Sequence, residues 1–168
     1  MRRGGRRLFW VVGVLAFVGG GFATKHALTV YSAFLADPAC SASIDLETPR
    51  RIGPTCAVYA GSITRTYTSY GSKRSRRHHI VVMSDTNGLI DVRLQNEFWS
   101  QVFPRATPGS RAVVETVNGF PAFIATSTGA VTASGDPRAA LIGACAVFLV
   151  GVILLFFAIF WKRFPTLR

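Results

Sequence analysis

Two long apolar runs bracket a segment of mixed character. Leu8 to Thr24 and Ala139 to Trp161 contain no charged residue, whereas all eight acidic residues fall between Asp37 and Asp136. The second run is 23 residues long; at roughly 1.5 Å of rise per residue it crosses a hydrocarbon core of about 30 Å with some tilt. The first is 17 residues, and a helix continuing past Lys25 and His26 to Val30 reaches the same length if those two side chains extend to the headgroups. The pattern therefore predicts two transmembrane helices, 8–30 and 139–161, with basic tails at 1–7 and 162–168. A competing reading of the first run is a cleaved signal peptide, with Arg2, Arg3, Arg6 and Arg7 as its basic start and Gly21-Phe22-Ala23 as a small-residue cleavage site.

Small residues argue for a retained helix. Gly13, Ala16, Gly20, Ala23 and Ala27 repeat at spacings of three and four, which places them on one helix face where a second helix can approach closely. Ala139, Gly143 and Ala146 repeat the same spacing in the second run, so the two helices are expected to pack as an antiparallel pair through these residues.

Between the spans the period changes. A helix extension and loop are expected over 31–55, with Asp37-Pro38 as the helix stop, because proline disfavours helical geometry in the residue before it. Cys56 to Thr68, His79 to Ser84, Leu89 to Leu94, Arg111 to Val117 and Phe120 to Thr126 are rich in β-branched and aromatic residues and read as five strands of a domain over 56–136. Asn87-Gly88 and Asn118-Gly119 supply hairpin turns, Gly61 is a site for a bend in the first strand, and Asn96 is placed to cap a short helix through Val102.

The fold class is thus a membrane α protein with a small all-β domain. Three strands, a helix and two strands, over Cys56 to Thr126, resemble in element order the oligonucleotide/oligosaccharide-binding barrel; an SH3-like barrel or a small sandwich would share that order. The overall plan resembles bacterial membrane proteins in which two helices flank a small β domain, and the arginine, alanine and glycine content suits a high-GC genome.

Charge sets the expected orientation. The tails carry Arg2, Arg3, Arg6 and Arg7 at one end and Lys162, Arg163 and Arg168 at the other, with no acid on either, so both termini are expected in the cytoplasm of a plasma-membrane protein. The middle domain then faces the exterior, where Cys40 and Cys56 can be oxidised to a disulfide that closes a Pro- and Gly-containing loop. Cys145 lies within the second span and is read as a small apolar packing residue.

Catalytic signatures are absent: there is no Gly-x-Ser-x-Gly elbow, no His-Glu-x-x-His and no phosphate-binding loop. His78 and His79 are adjacent, and neighbours on a strand point to opposite faces, a poor arrangement for shared metal ligation. Asp85 and Asp91 lie across a hairpin but have sufficient roles in a turn and on a strand surface. No enzymatic activity, cofactor or metal is expected.

The most distinctive segment runs from Arg65 to His79. It sets Arg65, Lys73, Arg74, Arg76 and Arg77 with two tyrosines and two histidines around one hairpin tip, the composition of an anion-binding loop. Its expected partners are the bilayer itself, an anionic lipid or envelope polymer, and a membrane-protein partner or second copy; nucleic acid would qualify only if the domain were cytoplasmic. A plain solvated loop, charged to keep a strand edge from aggregating, is the structural alternative.

Overall fold

The computed structural model describes residues 3–40, 44–71, 75–95 and 102–160. They divide into two units, one of 1–31 with 138–168 and one of 32–137.

The first unit is a helix pair. Helix α1 spans Arg3–Ala36 and α2 spans Pro137–Phe160. Both are long and apolar enough to cross a membrane, with mean hydropathy reaching 1.6 within Arg7–Ala36 and 2.9 within Pro137–Phe160 over 18-residue windows. Their outward faces carry exposed Leu8, Val11, Leu15, Phe22, Ile142, Leu149 and Ile153, a surface suited to lipid rather than water.

The helices meet through small residues. A Cβ added at Gly13 would lie 3.1 Å from the Leu155 side chain, and one at Gly20 would lie 2.7 Å from the Phe148 backbone. As the first number rises by seven the second falls by seven, so the pair is antiparallel with contacts that repeat every seven residues. Gly151 sits in the same register against the backbone of Phe17 and Ala16. Gly13, Gly20 and Ala27 on α1 and Gly151 and Ala158 on α2 are buried at that spacing, with the Leu155 side chain over Gly13 and the opposite backbone itself against Gly20 and Gly151.

This seam corrects the expected one. Ala23 is exposed and Thr24 turns inward instead; Gly143 and Ala146 are exposed, and the space beside Gly143 is open to 4 Å. Ala139 is half-buried. The expected α2 stripe is two residues out of phase in the seven-residue repeat, because a 4-3 spacing is satisfied equally by 139–143–146 and by the inward 144–148–151 set, in which a phenylalanine rather than a small residue occupies the middle place.

In the second unit, α1 ends where Asp37-Pro38 stops it: the Asp37 N–H still donates to Ala33 O at 3.1 Å, and the Cys40 N–H then donates to Asp37 O at 3.0 Å. Seven strands follow: β1 Arg51–Ile52, β2 Cys56–Tyr70, β3 Arg76–Ser84, β4 Gly88–Arg93, β5 Arg111–Val117, β6 Phe120–Thr126 and β7 Gly129–Thr132. All pairings are antiparallel, in the order β4-β3-β2-β5-β6-β7 with β1 beside β2. Among the described residues the sheet has seven strands rather than five, because the short segments at 51–52 and 129–132 find strand partners that their composition does not announce. The sheet also curls. Leu94 bridges Ala133, and the Ser134 N–H donates to Arg93 O at 2.9 Å, so the end of β4 meets the chain just beyond β7.

Of the two Asn-Gly turns expected, Asn118-Gly119 forms a two-residue hairpin turn, both residues lying in the left-handed region at φ 50° and 81°. At the β3–β4 hairpin the loop is Asp85–Asn87, and Gly88 alone takes positive φ as the first residue of β4. The short helix expected at Asn96–Val102 lies outside the described residues apart from Val102; a 3-10 turn follows at Phe103–Arg105.

Alternate positions of β2, β3 and β4 point into a core of Ile63, Ile80, Val82, Ile90, Val92 and Leu94, joined from the far side by Val102, Ala106, Ala112, Val114, Ile124 and Ala133. Full burial of one such Ile or Val contributes about 1.5–3 kcal/mol. Strand β5 is buried on both faces from Ala112 to Val117. Phe34, Ala39 and Ile44 are buried outside the main core.

The decisive irregularity is in β2. The pairing passes from Ile63↔Val82 to Arg65↔Val81, leaving Thr64 as a bulge whose Oγ1 donates to Val81 O at 3.0 Å. One extra residue inverts the alternation. Ile63 points into the core, but beyond the bulge the odd-numbered residues Arg65, Tyr67 and Ser69 point out. At Gly61 the Met83 carbonyl comes so close that a Cβ has no room.

Candidate functional site

Two polar constellations stand out among the described residues. The first lies where α1 hands over to the sheet. Cys40 and Cys56 form a disulfide with Cα atoms 5.1 Å apart. Beside it the buried Asp37 carboxylate accepts three backbone N–H groups, from Ala39 at 2.8 Å, Thr55 at 2.7 Å and Cys56 at 3.0 Å. Its pKa is lowered, chiefly by the Ala39 N–H; desolvation opposes the shift, and the Thr55 and Cys56 N–H groups add to it. Gly53 packs against this carboxylate and Ala39, leaving no room for a side chain.

Asp37, Cys40 and Cys56 offer ligand atoms within 4.8 Å of one another. In the disulfide neither sulfur is a thiolate, and thiolate is the form that ligates metal. The arrangement is a staple: covalent bond, carboxylate and glycine together fix the chain that leaves the helix onto the start of β2.

The second constellation occupies the outer face of β2, β3 and β4. Directly paired residues share a face, so the register sets Arg65 with Val81 and Asp91, Tyr67 with His79 and Arg93, and Ser69 with Arg77. The Tyr67 and His79 rings stack at 4.5 Å with planes 12° apart, and the Arg65 guanidinium lies 5.4 Å from the Tyr67 ring centre. The Tyr67 hydroxyl donates to Asp91 Oδ2 at 2.6 Å, His79 Nδ1 lies 3.0 Å from Asp91 Oδ1, and Ser69 Oγ lies 2.9 Å from His79 Nε2.

The tyrosine pKa is raised, first by that hydrogen bond to the Asp91 carboxylate, then by desolvation and the Asp91 charge, with Arg65 opposing. The His79 side chain is 13% exposed and that of Asp91 49%. One polar file therefore runs across three strands with arginines on either side of it.

Of the residues singled out in the sequence for anion contact, Arg65 and Arg77 lie on this outer face. Arg76, paired with Tyr70, belongs to the opposite alternation, and Lys73 and Arg74 lie outside the described residues. Arg93 joins Arg65 and Arg77, although it is remote from the basic run. His78 takes the inner alternation, as its neighbour's outward position requires: its Nδ1 is 2.8 Å from Thr68 Oγ1 and its ring 4.1 Å from that of Phe103.

Asp91, Ser69 and His79 carried no joint signal in the sequence. Their spacings of 10 and 12 residues acquire meaning only through strand register. No protein-family model, curated protein or solved structure matches this chain.

Proposed function

We propose that this chain is a membrane-anchored binding protein: two helices hold a β domain on the exterior side of a plasma membrane, with both termini in the cytoplasm, and the outer face of β2–β4 binds an anionic envelope component such as a lipid headgroup or an acidic polymer. The observation that carries this reading is the register that gathers Arg65, Arg77 and Arg93 on one face around hydrogen-bonding Ser69, Tyr67 and His79. Guanidinium groups are the cations best suited to phosphate and carboxylate, which they grip with paired donors. Residues 32–137 carry ten Lys and Arg against eight acidic residues, so the domain's own positive excess is small and the pull on an anion comes from the local cluster of arginines. The basic tails and the Cys40–Cys56 disulfide both support the exterior placing, and the curled sheet with its Leu94–Ala133 bridge favours a barrel-like reading of the domain.

The test is binding of fluorescent inorganic polyphosphate to the detergent-solubilised full chain, read by anisotropy at several salt concentrations. Changing Arg65, Arg77 and Arg93 together to Gln is expected to weaken binding at least about tenfold and to flatten its salt dependence. Changing the exposed Arg105 and Arg111 to Gln is the control. Equal loss in both variants would reduce the site to bulk charge. Orientation is tested separately with single cysteines at positions 72 and 166 in a cysteine-free chain, of which only the first should react with an impermeant thiol reagent on intact cells.

A second reading, a subunit of a larger membrane complex or a homo-oligomer, is favoured by one observation. Gly19 and Gly143 have open space beside them and Ala146 is exposed, so small residues also lie outside the helix seam, where a further helix could pack.

A further inference from the structure

The file Ser69–His79–Asp91 has an atom order that binding alone does not require. An ionised carboxylate only accepts hydrogen bonds, so Asp91 Oδ1 at 3.0 Å calls for a proton on His79 Nδ1. That leaves the Nε2 lone pair facing Ser69 Oγ at 2.9 Å, with the hydroxyl as donor. A serine held on Nε2 of an imidazole whose Nδ1 is held by a carboxylate is the geometry in which the hydroxyl can lose its proton as it attacks an electrophile.

Two further contacts restrict movement. The Tyr67 ring stacks on the imidazole, and the Tyr67 hydroxyl holds the second carboxylate oxygen at 2.6 Å. Arg77 is the direct cross-strand partner of Ser69 on the same face, where a guanidinium can meet negative charge developing on an oxygen next to the nucleophile.

We propose that Ser69 is a nucleophile for acyl transfer, with His79 as general base and Asp91 as the positioning residue, acting on carboxylic esters that carry a neighbouring anionic group. The anionic preference rests on the binding role proposed above; the nucleophile does not. Ser69 Oγ bonds to the carbonyl carbon as His79 Nε2 takes the hydroxyl proton. The bond from that carbon to the leaving oxygen breaks, and the proton passes from His79 to the departing alcohol. Water then attacks the acyl-serine, giving a proton to His79 that returns to Ser69 Oγ. One ester and one water become one acid and one alcohol, with no change of oxidation state. This departs from the non-enzymatic expectation, which rested on linear motifs; here the residues are supplied by three strands.

The full chain in detergent micelles would be treated with a fluorophosphonate probe and analysed by intact mass and peptide mapping, and assayed in parallel on p-nitrophenyl succinate. One adduct per chain at Ser69 is expected, and ester hydrolysis should disappear in Ser69→Ala. Asp91→Asn should lower kcat at least about a hundredfold with KM unchanged, because the imidazole loses the partner that sets its tautomer. A folded chain without an adduct at Ser69, or hydrolysis that Ser69→Ala leaves intact, overturns the proposal. Labelling of Ser69 in a chain that binds no polyphosphate would sink the binding role and its anionic preference while leaving the nucleophile in place.

Discussion

Removing the Cys40–Cys56 disulfide should loosen the β domain by an amount that follows from chain length. The bridge joins residues 16 apart, and closing a loop of that size in the unfolded chain removes entropy worth about 3 kcal/mol at 25 °C. The folded geometry has little to lose when the sulfurs go, since Asp37 still receives the N–H groups of Ala39, Thr55 and Cys56. The variant is the double change of Cys40 and Cys56 to Ser.

The readout is hydrogen exchange in β5, which is buried from Ala112 to Val117 and so opens only with the whole sheet. A loss of about 3 kcal/mol speeds exchange there roughly a hundredfold. Amides in the middle of α2, which belongs to the other unit, serve as an internal reference and should be unchanged. Treating the wild-type chain with a reductant should reproduce the acceleration, and the double variant should not respond to reductant. If β5 exchange rises less than about fivefold while mass analysis shows the wild-type bridge intact, the loop-entropy argument is wrong, and residual structure in the unfolded chain already holds 40 near 56.

Two other perturbations test other parts of the structure. Gly20→Leu or Gly151→Leu forces a side chain into the backbone of the opposite helix, an overpacking worth about 1–3 kcal/mol or more; either should abolish a disulfide cross-link between cysteines placed at Thr24 and Ala144, which the register brings opposite, whereas Gly143→Leu should leave it intact. For Asp37, whose folded pKa is depressed, the stabilisation is fully present above its ordinary value of 3.8 and is lost as pH falls below that through the folded value; protection of the β5 amides relative to their intrinsic exchange rate at each pH should therefore fall in acid, and Asp37→Asn should remove that component of the fall.

Much of the framework was legible without coordinates because it depends on local physics. Long uncharged runs have to be helices if they are to satisfy their backbones in lipid. Asp37-Pro38 ends a helix by steric exclusion, Asn118-Gly119 makes a tight turn because both residues tolerate positive φ, and the central five strands lie close to where their β-branched runs place them. The Cys40–Cys56 pairing was also readable, as the two cysteines of the middle segment flank a loop.

What escaped was everything that depends on phase. The α2 seam lay two residues away, since small residues in an apolar helix mark no face by themselves and the partner's register selects one. The outer-face site escaped for the same reason in a sheet. Uninterrupted alternation from Ile63 would have buried Arg65, Tyr67 and Ser69; the Thr64 bulge turns them outward, and cross-strand register then sets them against His79, Asp91 and Arg93. By itself the sequence determined the two helices, the strands between them, the disulfide and the excess of positive charge, because each follows from neighbouring residues. Tertiary structure alone decided which side chains meet, because a single unpaired residue in one strand reverses every facing beyond it.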